Sequence, residues 1–476
     1  MAHDRRSRRS VPRTEIVTEV MEHVEALKIE IECRWDTQSP TDLLHKKWKL
    51  PPKLSPAQRL IPDVLSMIFI QCLPDTTKCS SYPRPSRHHA PLVLGRICRA
   101  WRDSALSTPR LWSCLKISNQ WKCSVGVQEW LRRSGTHPLS ISWYGEDGDL
   151  SNPLENGRAI RALVAQSHRW ENIQVRDSGH ILERFLVPIS FSVPTLKTLI
   201  LEAPLNDPWE GTVGAQLSNA PKLRRLLLSG RLDVHFHGGM AQQLRELVIV
   251  RESYDKDSYS LERIANILAS CPSLESGEFY VEGNGDMLTD TDIIAPSLQS
   301  LSLDIPWKSY VTDIGPFLSR LTLPALKDLT LSPWGVFTPW LPQLRSLIER
   351  SQTSLASLSL VGTFGIEEYS SSLLDCLRMS PKLRQLSLET MSTGDSLMHA
   401  LTSPPKGYPG AHDLCPRLRN LVIRHDRPSK AAATAMLVSR RHHPLKYVRL
   451  SRCGLKPLDD AQLAKCTKRG LKLIVE

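Results

Sequence analysis

One six-residue pattern constrains this chain more than any other feature. From Pro194 onward the sequence returns again and again to Leu-x-x-Leu-x-Leu or a close variant. Leu196…Leu199-Ile200-Leu201 is the first copy and Leu223…Leu226-Leu227-Leu228 the second. Further copies begin at Leu244, Leu274, Leu298, Leu326, Leu355, Leu383, Leu418 and Leu445. These ten copies recur about every 28 residues, a period typical of repeat architectures. The last two apolar positions are two apart, so they share one face of a short strand. Such a strand cannot bury that face alone, but stacked copies make one continuous core. The pattern therefore predicts a curved solenoid with one roughly parallel sheet. Leu301, Leu303, Leu329, Leu331, Leu358, Leu360, Leu386 and Leu388 are its expected core.

Period and pattern together resemble leucine-rich repeats. The intervening residues can form helices, as over residues 261–269, where Leu261, Ile264, Ala265 and Leu268 share a side. The copies are irregular. Their spacing runs from about 21 to about 35 residues. The Asn that often follows Leu-x-Leu is mostly absent, Gly277 replaces a core leucine, and residues 334–342 and 403–410 interrupt the rhythm. An α/β domain with generic strands is the alternative.

A second constellation lies in residues 60–115. Pro62 suits the first turn of a helix, where its missing N–H is no loss. Asp63 favours the positive end of the helix dipole. Val64/Leu65, Ile68/Phe69 and Cys72/Leu73 then recur as one wide apolar stripe. After a proline-containing gap a second helix is expected, with Leu94, Ile97, Cys98, Trp101 and Ala105 on one face. Ser107-Thr108-Pro109-Arg110-Leu111-Trp112 closes the stretch. In order, Ile61-Pro62-Asp63-Val64-Leu65…Ile68-Phe69, Ile97-Cys98-Arg99-Ala100-Trp101-Arg102 and Leu111-Trp112 resemble an F-box, and the close is similar to the form common in mushroom-type fungi. Ile61 stands where the family usually has Leu. The insert over residues 75–90, with Arg84, Arg87, His88 and His89, is longer than usual. Cys271-Pro272 and Cys415-Pro416 resemble the Cys-Pro-x-Leu opening of F-box-associated leucine-rich repeats. Two amphipathic helices in an ordinary helical domain are the bland alternative.

The remaining chain organises around these two blocks. Residues 1–13 carry five arginines and one aspartate and read as a disordered basic tail. Residues 14–59 read as a helix, with Val17, Val20, Val24, Leu27 and Ile31 at alternating steps of three and four, and a linker containing Pro51, Pro52 and Pro56. Residues 116–193 form a connecting or capping region of alternating short strands and helices. Residues 194–476 are the repeat block. The fold expected is thus α+β or α/β: a small all-α F-box followed by an irregular leucine-rich-repeat solenoid.

The formal charge of +12 is concentrated at the ends. Residues 411–476 hold fifteen Lys/Arg against five Asp/Glu. The eleven cysteines follow no regular framework, which fits reduced thiols in the cytoplasm, the nucleus or both. No run approaches the roughly 18 apolar residues of a membrane span, and no apolar signal segment follows the first arginines. Catalytic motifs are wanting: Gly283-Asn284-Gly285 has no third glycine, and no Gly-x-Ser-x-Gly, Cys-x-x-Cys or His-Glu-x-x-His is present. His235-x-His237 lacks a recognisable third metal ligand. Neither an enzyme, a cofactor nor a metal is expected.

The F-box resemblance implies the substrate-receptor subunit of a cullin–RING ubiquitin ligase of the SCF type. A Skp-type adaptor, and through it a cullin, would bind residues 60–115, with Ile61, Pro62, Leu65, Ile68, Phe69, Leu94, Ile97 and Trp101 the candidate contacts. The repeats would hold a target protein, acidic or phosphorylated, because Asn420, Arg424, Tyr447, Arg449 and Arg452 cluster in the last copies and arginine and tyrosine are frequent binding anchors. The next candidate is the insert at residues 334–340. Two other readings stay open: a ligase-independent scaffold, and nucleic-acid binding through the basic ends, which adaptor capture and salt dependence would separate.

Overall fold

A computed structural model describes residues 60–75, 81–118, 124–145, 153–204, 213–216, 220–230, 232–235, 240–250, 260–281, 283, 291–307, 309, 311, 313–334, 336, 338–362, 369–404, 413–455, 467 and 470–476. The expected basic tail and the helix at residues 14–33 lie outside these. The chain divides into two compact units, residues 1–174 and 175–476.

In the first unit a helix runs over Pro62–Gln71. Ile61 before it is extended, and Pro62 and Asp63 occupy its first turn. Leu65 and Phe69 are buried, and the Phe69 ring lies 5.0 Å from that of Trp101. The second helical stretch is broken where the sequence predicted one continuous helix. A 3-10 turn over Leu94–Arg96 precedes a helix over Arg99–Leu106, with Cys98 extended between them. The Cys98 thiol accepts a hydrogen bond from the Trp101 N–H at 3.5 Å, so Cys98 caps the helix instead of continuing it. Thr108 joins the helices: its hydroxyl lies 2.7 Å from that of Ser66. Trp112 donates to the Ala105 carbonyl at 2.9 Å and stacks edge-on against Trp130. The insert folds back on this framework, for Lys116 N–H donates to the Pro83 carbonyl at 2.9 Å and Tyr82 is buried.

Strands Cys114–Ser118 and Leu139–Tyr144 then pair in parallel. Helices Ser124–Arg133 and Pro153–Val164 alternate with them, followed by strand Trp170–Arg176. The buried Arg169 guanidinium ties this region together through the Ser134 hydroxyl and the carbonyls of His137 and Leu131.

The second unit is built on parallel strands. In sheet order they are Thr198–Glu202, Arg225–Ser229, Glu246–Val250, Ser276–Tyr280, Ser300–Ile305, Asp328–Pro333, Ser357–Val361, Gln385–Glu389, Asn420–Arg424, Tyr447–Ser451 and Lys472–Val475. Each of the ten sequence copies supplies one of the first ten. The eight expected core leucines are all buried and in register, as in Leu301↔Leu329↔Leu358↔Leu386. Between strands lie helices such as Leu261–Ser270, Leu341–Ser351 and Lys430–Ser439, each burying an apolar face.

Just before each strand from Thr198–Glu202 to Asn420–Arg424, one residue's carbonyl accepts two N–H groups from the next repeat. The Arg384 carbonyl receives Arg419 and Asn420 at 2.8 and 3.0 Å, and the Arg419 carbonyl receives Lys446 and Tyr447 at the same distances. This double bond recurs from Lys197 to Arg419 and fixes the register.

Gly277 has a physical explanation. It pairs with Leu247 and Leu301, where a leucine is expected. A Cβ there would lie 2.7 Å from Cε2 of the buried Phe279 ring. The ring fills the place of the missing side chain, two positions along the same face.

Candidate functional site

In the first unit, the helix Pro62–Gln71 sorts its apolar residues between two sides. Leu65 and Phe69 turn inward with Leu94 and Trp101 and hold the unit together. Ile61 and Pro62 are exposed, while Ile68 and Ile97 are half-buried. Four of the eight candidate adaptor contacts are therefore interior and unavailable to a partner. Three residues that were not among the candidate contacts lie exposed instead: Leu60, Val64 and Met67. With Ile61 at 61% and Met67 at 68% exposure, they give this helix an uncovered apolar side. Residues of that size in water are a partner-site signature when they occur together. The signal in sequence was the width of the stripe, which exceeds what one neighbouring helix can cover.

In the second unit, register fixes which side chains face outward. One row runs from Ile200, which is itself buried, through Leu227, Val248, Glu278, Ser302, Thr330, Ser359, Ser387, Val422, Arg449 and Ile474. The candidate contact Arg424 does not lie in this row. Val422, not Arg424, continues the row between core residues; Arg424 aligns with Glu389 and Ser451, two positions further along. Asn420 and Tyr447 are paired neighbours in another row.

Nor do the predicted arginines present bare charge. Arg424 forms an ion pair with Glu389 at 3.3 Å, and Arg449 with Glu476 at 2.8 Å. The hydrogen bond from Arg449 holds Glu476 below the ordinary carboxylate range. Arg452, left-handed at φ 54°, places its guanidinium 3.1 Å from His425 Nε2. Three exposed cations without a side-chain partner among the described residues stand instead at the carbonyl-ladder position. Arg384, Arg419 and Lys446 are exposed there on three successive repeats. They flank Gln385, Asn420 and Tyr447, and Lys472 lies 5.9 Å from the Tyr447 ring centroid.

The middle strands carry the opposite sign. Glu278, Asp304 and Asp328 point outward from strands Ser276–Tyr280, Ser300–Ile305 and Asp328–Pro333, with no cation at the outward positions of those strands. Desolvation, and then the Glu278 carboxylate, raise the Asp304 pKa.

Of the insert at residues 334–340, Val336 and Trp340 are fully buried, while Trp334 and Thr338 are half-buried. Among the described residues no group of three His, Cys, Asp or Glu is placed to hold a metal ion. None of the helices described is long and apolar enough to cross a membrane.

No family model matches the chain, and no curated protein matches it significantly. Among solved structures it is similar to a chain of the "Crystal structure of TLR13-ssRNA13 complex", with 11% identity and a TM-score of 0.27. That match covers 78% of this chain and 59% of the other. So distant a likeness carries no argument, and the assignment of a parallel, leucine-cored repeat fold rests on the register and burial of this chain's own strands.

Proposed function

We propose that this chain is the substrate receptor of an SCF-type ubiquitin ligase. Residues 60–115 act as an F-box that docks a Skp-type adaptor and through it a cullin, and the repeats hold the target protein. The chain transfers no ubiquitin itself. It raises the target's local concentration near the charged carrier enzyme, which is a proximity effect. The deeply buried thiols fit a reducing compartment, cytoplasmic or nuclear.

The observation that carries this reading is the uncovered side of the Pro62–Gln71 helix. Ile61, Val64 and Met67 lie in water while the opposite side is locked by Leu65, Phe69 and Trp101. A rigid helix with an unpaid apolar face is suited to a preformed partner groove. The test is capture of a purified Skp-type adaptor by the full chain and by Ile61→Asp with Met67→Asp. Capture is expected to fall at least about tenfold, equivalent to about 1.4 kcal/mol, with thermal unfolding unchanged. Wild-type capture by the double variant, or no capture by the parent, refutes the proposal. Leu65 is unsuited to this test because it is interior.

A further inference from the structure

The outward row of the second unit changes character in order. Glu278 is followed by the hydroxyls of Ser302, Thr330, Ser359 and Ser387, and after Val422 comes Arg449. Glu278 is joined on the acidic side by Asp304, two positions along the neighbouring strand. Arg449 is itself paired with Glu476, so the charge of the basic side comes from the exposed ladder cations Arg419 and Lys446. Six strand steps of about 4.8 Å separate the two ends, about 29 Å in all. An extended peptide rising about 3.3 Å per residue spans that with about nine residues. The four hydroxyls between are short, so a backbone can approach closely, and each is both donor and acceptor.

We infer that this row seats one extended segment of a partner protein whose charge is segregated: basic over Glu278 and Asp304, small and polar across the hydroxyls, acidic over Arg419 and Lys446. This deepens the proposed target-holding role of the repeats and rests on it. Opposite charge at both ends of the row fixes the direction in which the segment lies, since the reversed placement puts like charges together at each end. A uniform polyanion such as a nucleic acid meets the carboxylates Glu278, Asp304 and Asp328 of the middle strands, where Lys327 alone of the three ladder residues is a cation. That is why a polypeptide of mixed charge is favoured.

The experiment uses the full chain and fluorescence anisotropy at low salt. Three labelled probes are compared: a peptide with a lysine block and a glutamate block joined by a Ser/Gly spacer of about nine residues, a peptide of identical composition with alternating charges, and a single-stranded oligonucleotide. The block peptide is expected to bind at least about tenfold tighter than the alternating one, with affinity falling as salt rises. Glu278→Gln with Asp304→Asn, and separately Arg419→Gln with Lys446→Gln, should each remove most of that preference. These are exposed positions, and unchanged thermal unfolding confirms the fold. Equal binding of the two peptides, or tighter binding of the oligonucleotide, overturns the inference. Adaptor capture is measured on the same variants. Its retention alongside a failed peptide preference refutes only this inference, whereas its absence in the parent chain refutes the ligase reading.

Discussion

Restoring the missing leucine of the fourth repeat should harm the protein. From the repeat pattern alone, Gly277→Leu improves the sequence. The structure says otherwise, because a Cβ at Gly277 meets Phe279 Cε2 at 2.7 Å and Cζ at 3.2 Å. Both atoms belong to a ring that is buried on all sides, so it cannot swing into water. Overpacking of this kind costs about 1–3 kcal/mol. Phe279→Leu alone has the opposite fault: it empties the space that the ring fills beside Gly277, at a cost of about 1–3 kcal/mol. If the two effects were independent, the double variant would lose the sum. Instead, Gly277→Leu with Phe279→Leu rebuilds the Leu-x-Leu of its neighbours, Leu247/Ile249 and Leu301/Leu303. It also removes the strand-interior glycine, which is worth roughly 0.5–1 kcal/mol. The double variant is therefore expected within about 1.5 kcal/mol of the parent, with a coupling energy of about 0.5–3 kcal/mol. Urea unfolding of the four chains, followed by tryptophan fluorescence and by hydrogen exchange of the strand amides, measures the cycle. Additive losses, or a stabilised Gly277→Leu single variant, would refute the ring-for-leucine exchange.

Leu329→Ala should cost about 2–5 kcal/mol, since Leu329 is buried between Leu301 and Leu358; the same urea series measures it. Hydrogen bonds from Arg132 and then Arg133 hold the Glu129 carboxyl down at about 2, below the ordinary carboxylate range. Its folded pKa is depressed, so whatever stability it lends is present above the ordinary value and lost as pH falls through about 2. Carboxyl NMR should show Glu129 ionised at about pH 3 in the parent and titrating near its ordinary value after Arg132→Gln with Arg133→Gln. Burial pushes the thiols of Cys271 and Cys376 up to about 12 and that of Cys415 to about 11. Iodoacetamide at about pH 8 should therefore spare them until denaturant is added, as read by peptide mass spectrometry.

The repeat block was legible because leucine at two-residue spacing encodes both strand and burial. Gly277 looked like a defect because the pattern assigns each residue its own volume and says nothing of a ring reaching two positions along the strand. The second helix was misjudged at Cys98, whose apolar character fits a helical stripe equally well while its sulfur serves as a cap. The final strand, Lys472–Val475, went unseen because no Leu-x-x precedes it. At the sites, composition marked the basic end but not its pairing. Glu389 and Arg424 are far apart in sequence and meet only once the strands are in register. Likewise, the stripe in residues 61–72 could not say which apolar residues face Trp101 and which face water.

The carbonyl ladder has a mechanical consequence. Every repeat is fastened to the next by two backbone bonds at one point, together with its strand pairing, while the residues between strands vary freely in number. A force applied along the stack would load these fastenings one repeat at a time. Extension should then proceed in steps, each releasing about 28 residues, or roughly 95 Å of contour. Unequal spacing would be written into the record: the long connection between Leu383 and Leu418 should give the largest step, and the short one between Leu223 and Leu244 the smallest. The trace of such a pull would read out the repeat order from the chain itself.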